Sequence, residues 1–90
     1  SIISTMTRSE IESKLRALMK SVSQDKKIEW DSVKDTTPIN ALGIDSLAIL
    51  DLLYDIQQAF DLNFELEELA GIKTVGDLLT WLEQRVKTEV

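Results

Sequence analysis

The spacing of the apolar residues points to a helical fold for this chain of 90 residues. In the first segment, apolar residues recur at i, i+4, i+7, i+8 and i+11, namely Ile11, Leu15, Leu18, Met19 and Val22. A helix brings these positions onto one side, so we predict a helix from about residue 9 to residue 23. Its start has two alternative capping boxes, Thr7 with Glu10 and Ser9 with Glu12.

Three more segments have helical spacing, and no segment alternates apolar and polar residues as a strand does. We predict helices over residues 46–60 and from 74 to about 87, with a short third helix over 65–70. Thr74 is the candidate N-cap of the last helix, with Asp77 in its first turn. The predicted fold is all-α, a small four-helix bundle of three longer helices and one short third helix, in a single domain over residues 1–90.

The connection between the first two predicted helices, residues 24–45, is long for a compact domain. Pro38 disfavours a helix in this segment, because it removes a backbone donor and restricts Thr37. Apolar residues nevertheless recur along it, and we expect a long structured loop built on Ile28, Trp30, Val33, Ile39 and Leu42.

The composition excludes several kinds of chemistry. The chain has no histidine and no cysteine, which rules out a Ser-His-Asp triad, a cysteine nucleophile and a zinc site made of imidazole or thiolate ligands. We expect no metal site, and we interpret Glu65, Glu67 and Glu68 as a solvated acidic face. A formal net charge of -6 disfavours binding to nucleic acid.

No apolar run approaches the roughly 20 residues that span a bilayer, and the first six residues do not have the pattern of a signal peptide. We therefore expect a cytoplasmic protein without membrane insertion. Met6 is a candidate initiator, in which case residues 1–5 would not belong to the native chain.

The second predicted helix is apolar on two opposite sides. Its core stripe is made of Ile49, Leu52, Leu53, Ile56 and Phe60. Leu47, Leu50 and Tyr54 lie almost diametrically opposite, flanked by Asp51 and Asp55. A small domain seldom covers both sides of a helix, so this second set would form a partly exposed strip that docks on a basic, partly apolar partner. The alternative is that the long loop or the third helix covers the strip as ordinary core.

The segment that joins the loop to this helix reads Leu42-Gly43-Ile44-Asp45-Ser46-Leu47. Gly43 permits a sharp turn, and either Asp45 or Ser46 can cap the helix. A hydroxyl in the first turn lies beside unpaired backbone amides and the positive end of the helix dipole, which would suit an attached phosphate. No base is available to make Ser46 a nucleophile, so another enzyme would have to install any modification. Local chemistry alone favours the simpler interpretation, in which Ser46 is only a helix cap.

The same segment closely resembles the phosphopantetheine attachment motif of acyl carrier proteins, in which Asp-Ser-Leu opens the second helix of a four-helix bundle. The resemblance extends from Leu42 to about Leu82. It includes Ala59-Phe60-Asp61, the acidic segment Glu65-Leu66-Glu67-Glu68-Leu69, and Lys73-Thr74-Val75-Gly76-Asp77-Leu78-Leu79.

The resemblance implies a carrier and not an enzyme. A phosphopantetheinyl transferase would attach 4′-phosphopantetheine from coenzyme A to the Ser46 hydroxyl, and the thiol of that group would hold acyl thioesters. Asp45 would help the transferase recognise the site, and Leu47 would pack beside it. The other partners would be acyl-loading and acyl-transferring or condensing enzymes of fatty-acid, polyketide or related lipid biosynthesis, and we expect a monomer.

The resemblance also assigns the exposed strip to partner docking, with Leu50, Asp51 and Tyr54 at the matching positions. Many fatty-acid carriers have a denser acidic series on this helix, from which this chain departs at Ala48, Gln57, Gln58 and Ala59. We therefore expect a specialised carrier whose docking is less sensitive to salt. The alternatives are an unmodified helical adaptor that binds a protein partner, and an aminoacyl or peptidyl carrier, which Asp45 before the serine disfavours.

Overall fold

The computed structural model describes residues 7–88, which form an all-helical fold. The three α-helices are α1 (Arg8–Val22), α2 (Ser46–Phe60) and α3 (Val75–Thr88). The described residues contain no β-strand, so the all-α prediction is confirmed. Within residues 7–88, no helix combines the length and the apolar composition that a membrane span requires. The candidate initiator Met6 and residues 1–5 lie outside the described residues.

The predicted count of four helices is not confirmed, because the short third segment is a 3₁₀ helix, Leu66–Leu69. Its bonds are of the i to i+3 kind: the amide of Ala70 donates to the carbonyl of Glu67 at 3.2 Å, and that of Ile72 to Leu69 at 3.0 Å. A segment of four residues is too short to repay the cost of nucleating an α-helix.

Reciprocal capping bonds define where α1 and α3 begin. The amide of Glu10 donates to Thr7 Oγ1 at 3.1 Å, and the amide of Thr7 donates to Glu10 Oε1 at 2.8 Å, so the first of the two predicted capping boxes is the one that forms. In α3 the amide of Asp77 donates to Thr74 Oγ1 at 3.1 Å. The bonds from the amides of Lys73 and Thr74 keep the pKa of the Asp77 carboxyl below its ordinary value.

The core lies where α1 packs against α2 and α3. The predicted apolar face of α1 supplies Ile11, Leu15 and Met19, which are fully buried. The buried side of α2 and the facing side of α3 complete the core with Leu52, Leu53, Ile56, Val75, Leu78, Leu79 and Leu82.

The long connection between α1 and α2 is ordered around apolar anchors, as predicted. It contains two 3₁₀ helices, Trp30–Ser32 and Ile39–Leu42. Arg16 of α1 holds its first half, donating to the carbonyls of Trp30 and Val33 at 2.7 Å each. The second half rests on α3, where the amide of Gly76 donates to the carbonyl of Asp35 at 2.8 Å.

Candidate functional site

A tight turn at Gly43 sets the position at which α2 begins. Its φ of 72° lies in the left-handed region, and a Cβ atom at this position would lie 2.6 Å from Asp25 Cβ. The chain therefore needs glycine here for both conformation and space. The end of α1 holds the same turn: Ser23 Oγ donates to the carbonyl of Leu42 at 2.6 Å, and the amide of Gln24 donates to the carbonyl of Gly43 at 3.0 Å.

Asp45, and not Ser46, is the N-cap of α2. Asp45 Oδ1 accepts a bond from the amide of Ala48 at 2.8 Å, and its carbonyl accepts one from the amide of Ile49, also at 2.8 Å. Its second carboxylate oxygen lies 3.4 Å from Gln24 Nε2. The choice that the sequence left open is resolved, because the carboxylate already occupies the capping position.

Ser46 is the first residue of α2, and it is exposed. Because Asp45 is the N-cap, the Ser46 hydroxyl is not needed to cap the start of α2. No described residue forms a hydrogen bond with this hydroxyl. Helix geometry also leaves the amides of Ser46 and Leu47 without acceptors inside the helix. An exposed hydroxyl beside unpaired amides can accept a covalent phosphate group without breaking any contact of the fold.

A groove of about 730 Å³ adjoins this hydroxyl. Asp45 and Lys73 are the charged residues in its lining, and Ser46, Asn40 and Thr74 are polar. The remaining lining residues are apolar: Pro38, Ile39, Ile44, Ile49 and Ile72.

A second cavity of about 640 Å³ shares three apolar residues with this groove, Ile39, Ile49 and Ile72. It lies between α2, the 3₁₀ helix Leu66–Leu69 and α3, and Glu67 is the charged residue in its lining. The Ser46 hydroxyl thus opens onto a groove of mixed polar and apolar lining, which continues into a more apolar cavity. That order fits a long group with a phosphate at one end and a hydrocarbon at the other.

The exposed strip of α2, formed by Leu47, Leu50 and Tyr54 with Asp51 and Asp55, is uncovered. Leu47 is 75% exposed, Leu50 50% and Tyr54 62%. Neither the long loop nor the segment before α3 covers these side chains, so the alternative of ordinary core is wrong. Asp51 is exposed and Asp55 is half-buried.

The structure brings some predicted residues together and adds others. Asp45 and Ser46 line the groove, whereas Leu47, Leu50 and Tyr54 face solvent. Sequence reasoning assigned no role to Lys73, although this residue begins the segment that leads into the last helix. Its approach to Ser46 depends on contacts between residues 37–39 and 73–75, which the linear pattern does not reveal.

The acidic segment before α3 is exposed, as predicted, and one of its glutamates also makes structural contacts. The amide of Glu65 donates to Glu68 Oε2 at 2.9 Å, and the same glutamate forms an ion pair with Arg85. Glu65, Glu67 and Glu68 are all exposed, and Glu68 in addition holds the segment against α3.

Comparison with known proteins agrees with this geometry. Residues 13–82 match the family described as "Phosphopantetheine attachment site". An acyl carrier protein homolog of Mycoplasmopsis pulmonis is 32% identical over 66 residues, which are 73% of this chain and 90% of that protein. The acyl carrier protein of Streptococcus thermophilus is 37% identical over 57 residues, 63% of this chain and 74% of that protein.

The chain belongs to the phosphopantetheine-binding family of acyl carrier proteins. It carries acyl groups on covalently attached 4′-phosphopantetheine, and its family interacts with biosynthetic enzymes and with a phosphopantetheinyl transferase.

Proposed function

We propose that Ser46 is the attachment residue and that the chain presents acyl thioesters to enzymes of fatty-acid, polyketide or related lipid biosynthesis. The observation that supports this assignment is that two neighbouring residues have different roles at the start of α2. Asp45 caps the helix through the amide of Ala48, which leaves the neighbouring Ser46 hydroxyl exposed and uncommitted.

Asp45 and Leu47 would serve the transferase on either side of this serine. The carboxylate of Asp45 is held by the amide of Ala48 and so presents a fixed feature beside the hydroxyl. Leu47, 75% exposed, offers an apolar contact at the same helix end. A transferase that recognises a carboxylate fixed by a hydrogen bond, then a free hydroxyl and then an apolar side chain would select Ser46.

The exposed strip of α2 is the proposed docking surface for partner enzymes. Leu50 and Tyr54 would be its apolar anchors, and Asp51 would steer cationic partners. Few acidic residues follow along α2, so we expect apolar contact to contribute more to affinity here than charge does. That balance favours a specialised carrier over a general one.

The apolar cavity between α2 and α3 would shelter a short or medium acyl chain. It joins the groove at Ser46 through Ile39, Ile49 and Ile72. Acyl groups of increasing length should shift the NMR signals of these core side chains, and shifts restricted to surface residues would contradict this proposal.

The chain would have no catalytic activity of its own. Among the described residues, the hydroxyl of Ser46 has no neighbouring base to activate it, so the chemistry would belong to the partner enzymes. The monomeric state and the cytoplasmic location stay predictions.

The test is the intact mass of the apo protein after incubation with coenzyme A, a divalent metal and a broad-specificity transferase. We expect a gain of one phosphopantetheine group in the natural chain and in Ser13→Ala, which alters an exposed serine of α1. Ser46→Ala should gain nothing. A gain of mass by Ser46→Ala would contradict the assignment, and no gain by the natural chain would favour an unmodified adaptor.

A further inference from the structure

We propose that the ammonium group of Lys73 binds the phosphodiester at the base of the prosthetic group and positions the arm in the groove beside Ser46. This inference rests on the attachment at Ser46 proposed above. It makes Lys73 a positioning residue for the cofactor, distinct from the docking strip of α2.

Lys73 is the cation in the lining of the groove that contains Ser46, and Asp45 is the anion. The lysine side chain is exposed. No described carboxylate lies within ion-pair distance of its ammonium group, whereas Arg8, Arg16 and Arg85 all have acidic partners. Its charge is therefore available to a group that enters the groove.

Backbone contacts fix the position from which Lys73 extends. The carbonyl of Lys73 accepts a bond from the amide of Ile39 at 2.9 Å, and Thr74 forms an antiparallel bridge with Pro38. Asp77 Oδ2 accepts bonds from the amides of Lys73 and Thr74 at 3.2 Å each. The main chain of Lys73 is thus held against the segment that leads to α2, while its side chain is exposed at the groove.

The negative charge of this region gives a reason for a cation to bind the phosphodiester. A phosphodiester on Ser46 adds a negative charge next to the Asp45 carboxylate, in a chain whose formal net charge is already -6. Helix α2 contains no lysine or arginine that could offset this charge. An ammonium group is a compact charge with three donors, which suits phosphate oxygens.

The test compares holo proteins by phosphorus-31 NMR at low ionic strength, after intact mass has established the adduct in each. The variants are Lys73→Gln, Lys73→Arg and the control Lys14→Gln. Lys14 lies beside Ala59 at the far end of α2, and 13 residues of helix at about 1.5 Å each place it about 20 Å from Ser46. Both lysines are exposed, so we expect all variants to fold.

We expect the phosphodiester signal of Lys73→Gln to shift from its natural position, while those of Lys14→Gln and Lys73→Arg stay close to it. The Lys73 side-chain nitrogen signal should also move when the apo protein becomes holo. Both differences should fade in about 1 M salt, where the screening length is about 3 Å. Identical phosphorus signals in the natural and Lys73→Gln proteins would overturn the role of Lys73 alone. Failure of the natural protein to gain the adduct on Ser46 would overturn the attachment proposal as well.

Discussion

The two sides of α2 both have apolar residues, but one side is buried and the other is exposed to solvent. On one side Leu52 and Ile56 are 0% exposed, covered by α1 and the rest of the core. On the other side Leu47 and Leu50 are 75% and 50% exposed. The difference is not in the residues but in what is available to cover them, because a chain of this size builds one core on one side of the helix. Apolar residues that the fold cannot cover are then free for contact with another molecule.

The largest expected effect comes from the buried side. Leu52→Ala should lower the free energy of unfolding by about 3 kcal/mol, since it removes a fully buried side chain and leaves a cavity. Leu47→Ala makes the same chemical change on the exposed side and should cost less than about 0.5 kcal/mol. Urea denaturation of both variants measures the contrast. Equal losses would mean that Leu47 is covered in solution and that the two sides do not differ.

The division between these two sides could be predicted from the sequence, because it follows from helical spacing alone. The same spacing located α1 and α3 to within one residue at each end. It could not decide between Asp45 and Ser46 as the cap, since both residue types suit the position. That choice depends on the geometry of the turn at Gly43, which the fold imposes.

Features made by distant segments could not be predicted. Arg16 donates hydrogen bonds to the carbonyls of Trp30 and Val33. Every residue has a backbone carbonyl, so the sequence does not indicate which ones accept these bonds. The groove at Ser46 likewise requires Lys73 to approach from the segment before α3. The predicted short third helix forms as a 3₁₀ helix, Leu66–Leu69, because its apolar spacing is helical but the segment is too short to sustain an α-helix.

A second prediction tests whether the exposed side of α2 has the function that its exposure suggests. Leu50→Glu should weaken binding to the transferase by about tenfold, or about 1.4 kcal/mol, because it puts a charge where an apolar anchor should be buried in the complex. Titration calorimetry measures the affinity, with circular dichroism as the check on folding. Cooperative unfolding of Leu50→Glu would show that this side belongs to the core, and unchanged affinity would place docking elsewhere.

The smallest effect should come from the charge beside these anchors. Asp51→Asn should slow association with a cationic partner enzyme by a few-fold at low salt and leave dissociation nearly unchanged, because an exposed charge at the rim of an interface acts mainly by steering. Stopped-flow measurements at increasing ionic strength would follow the effect, which should vanish as screening becomes complete. Asp31→Asn, an exposed change in the long loop away from α2, is the matched control. If Asp51→Asn weakened binding more than Leu50→Glu did, charge and not apolar contact would govern docking on this side of the helix.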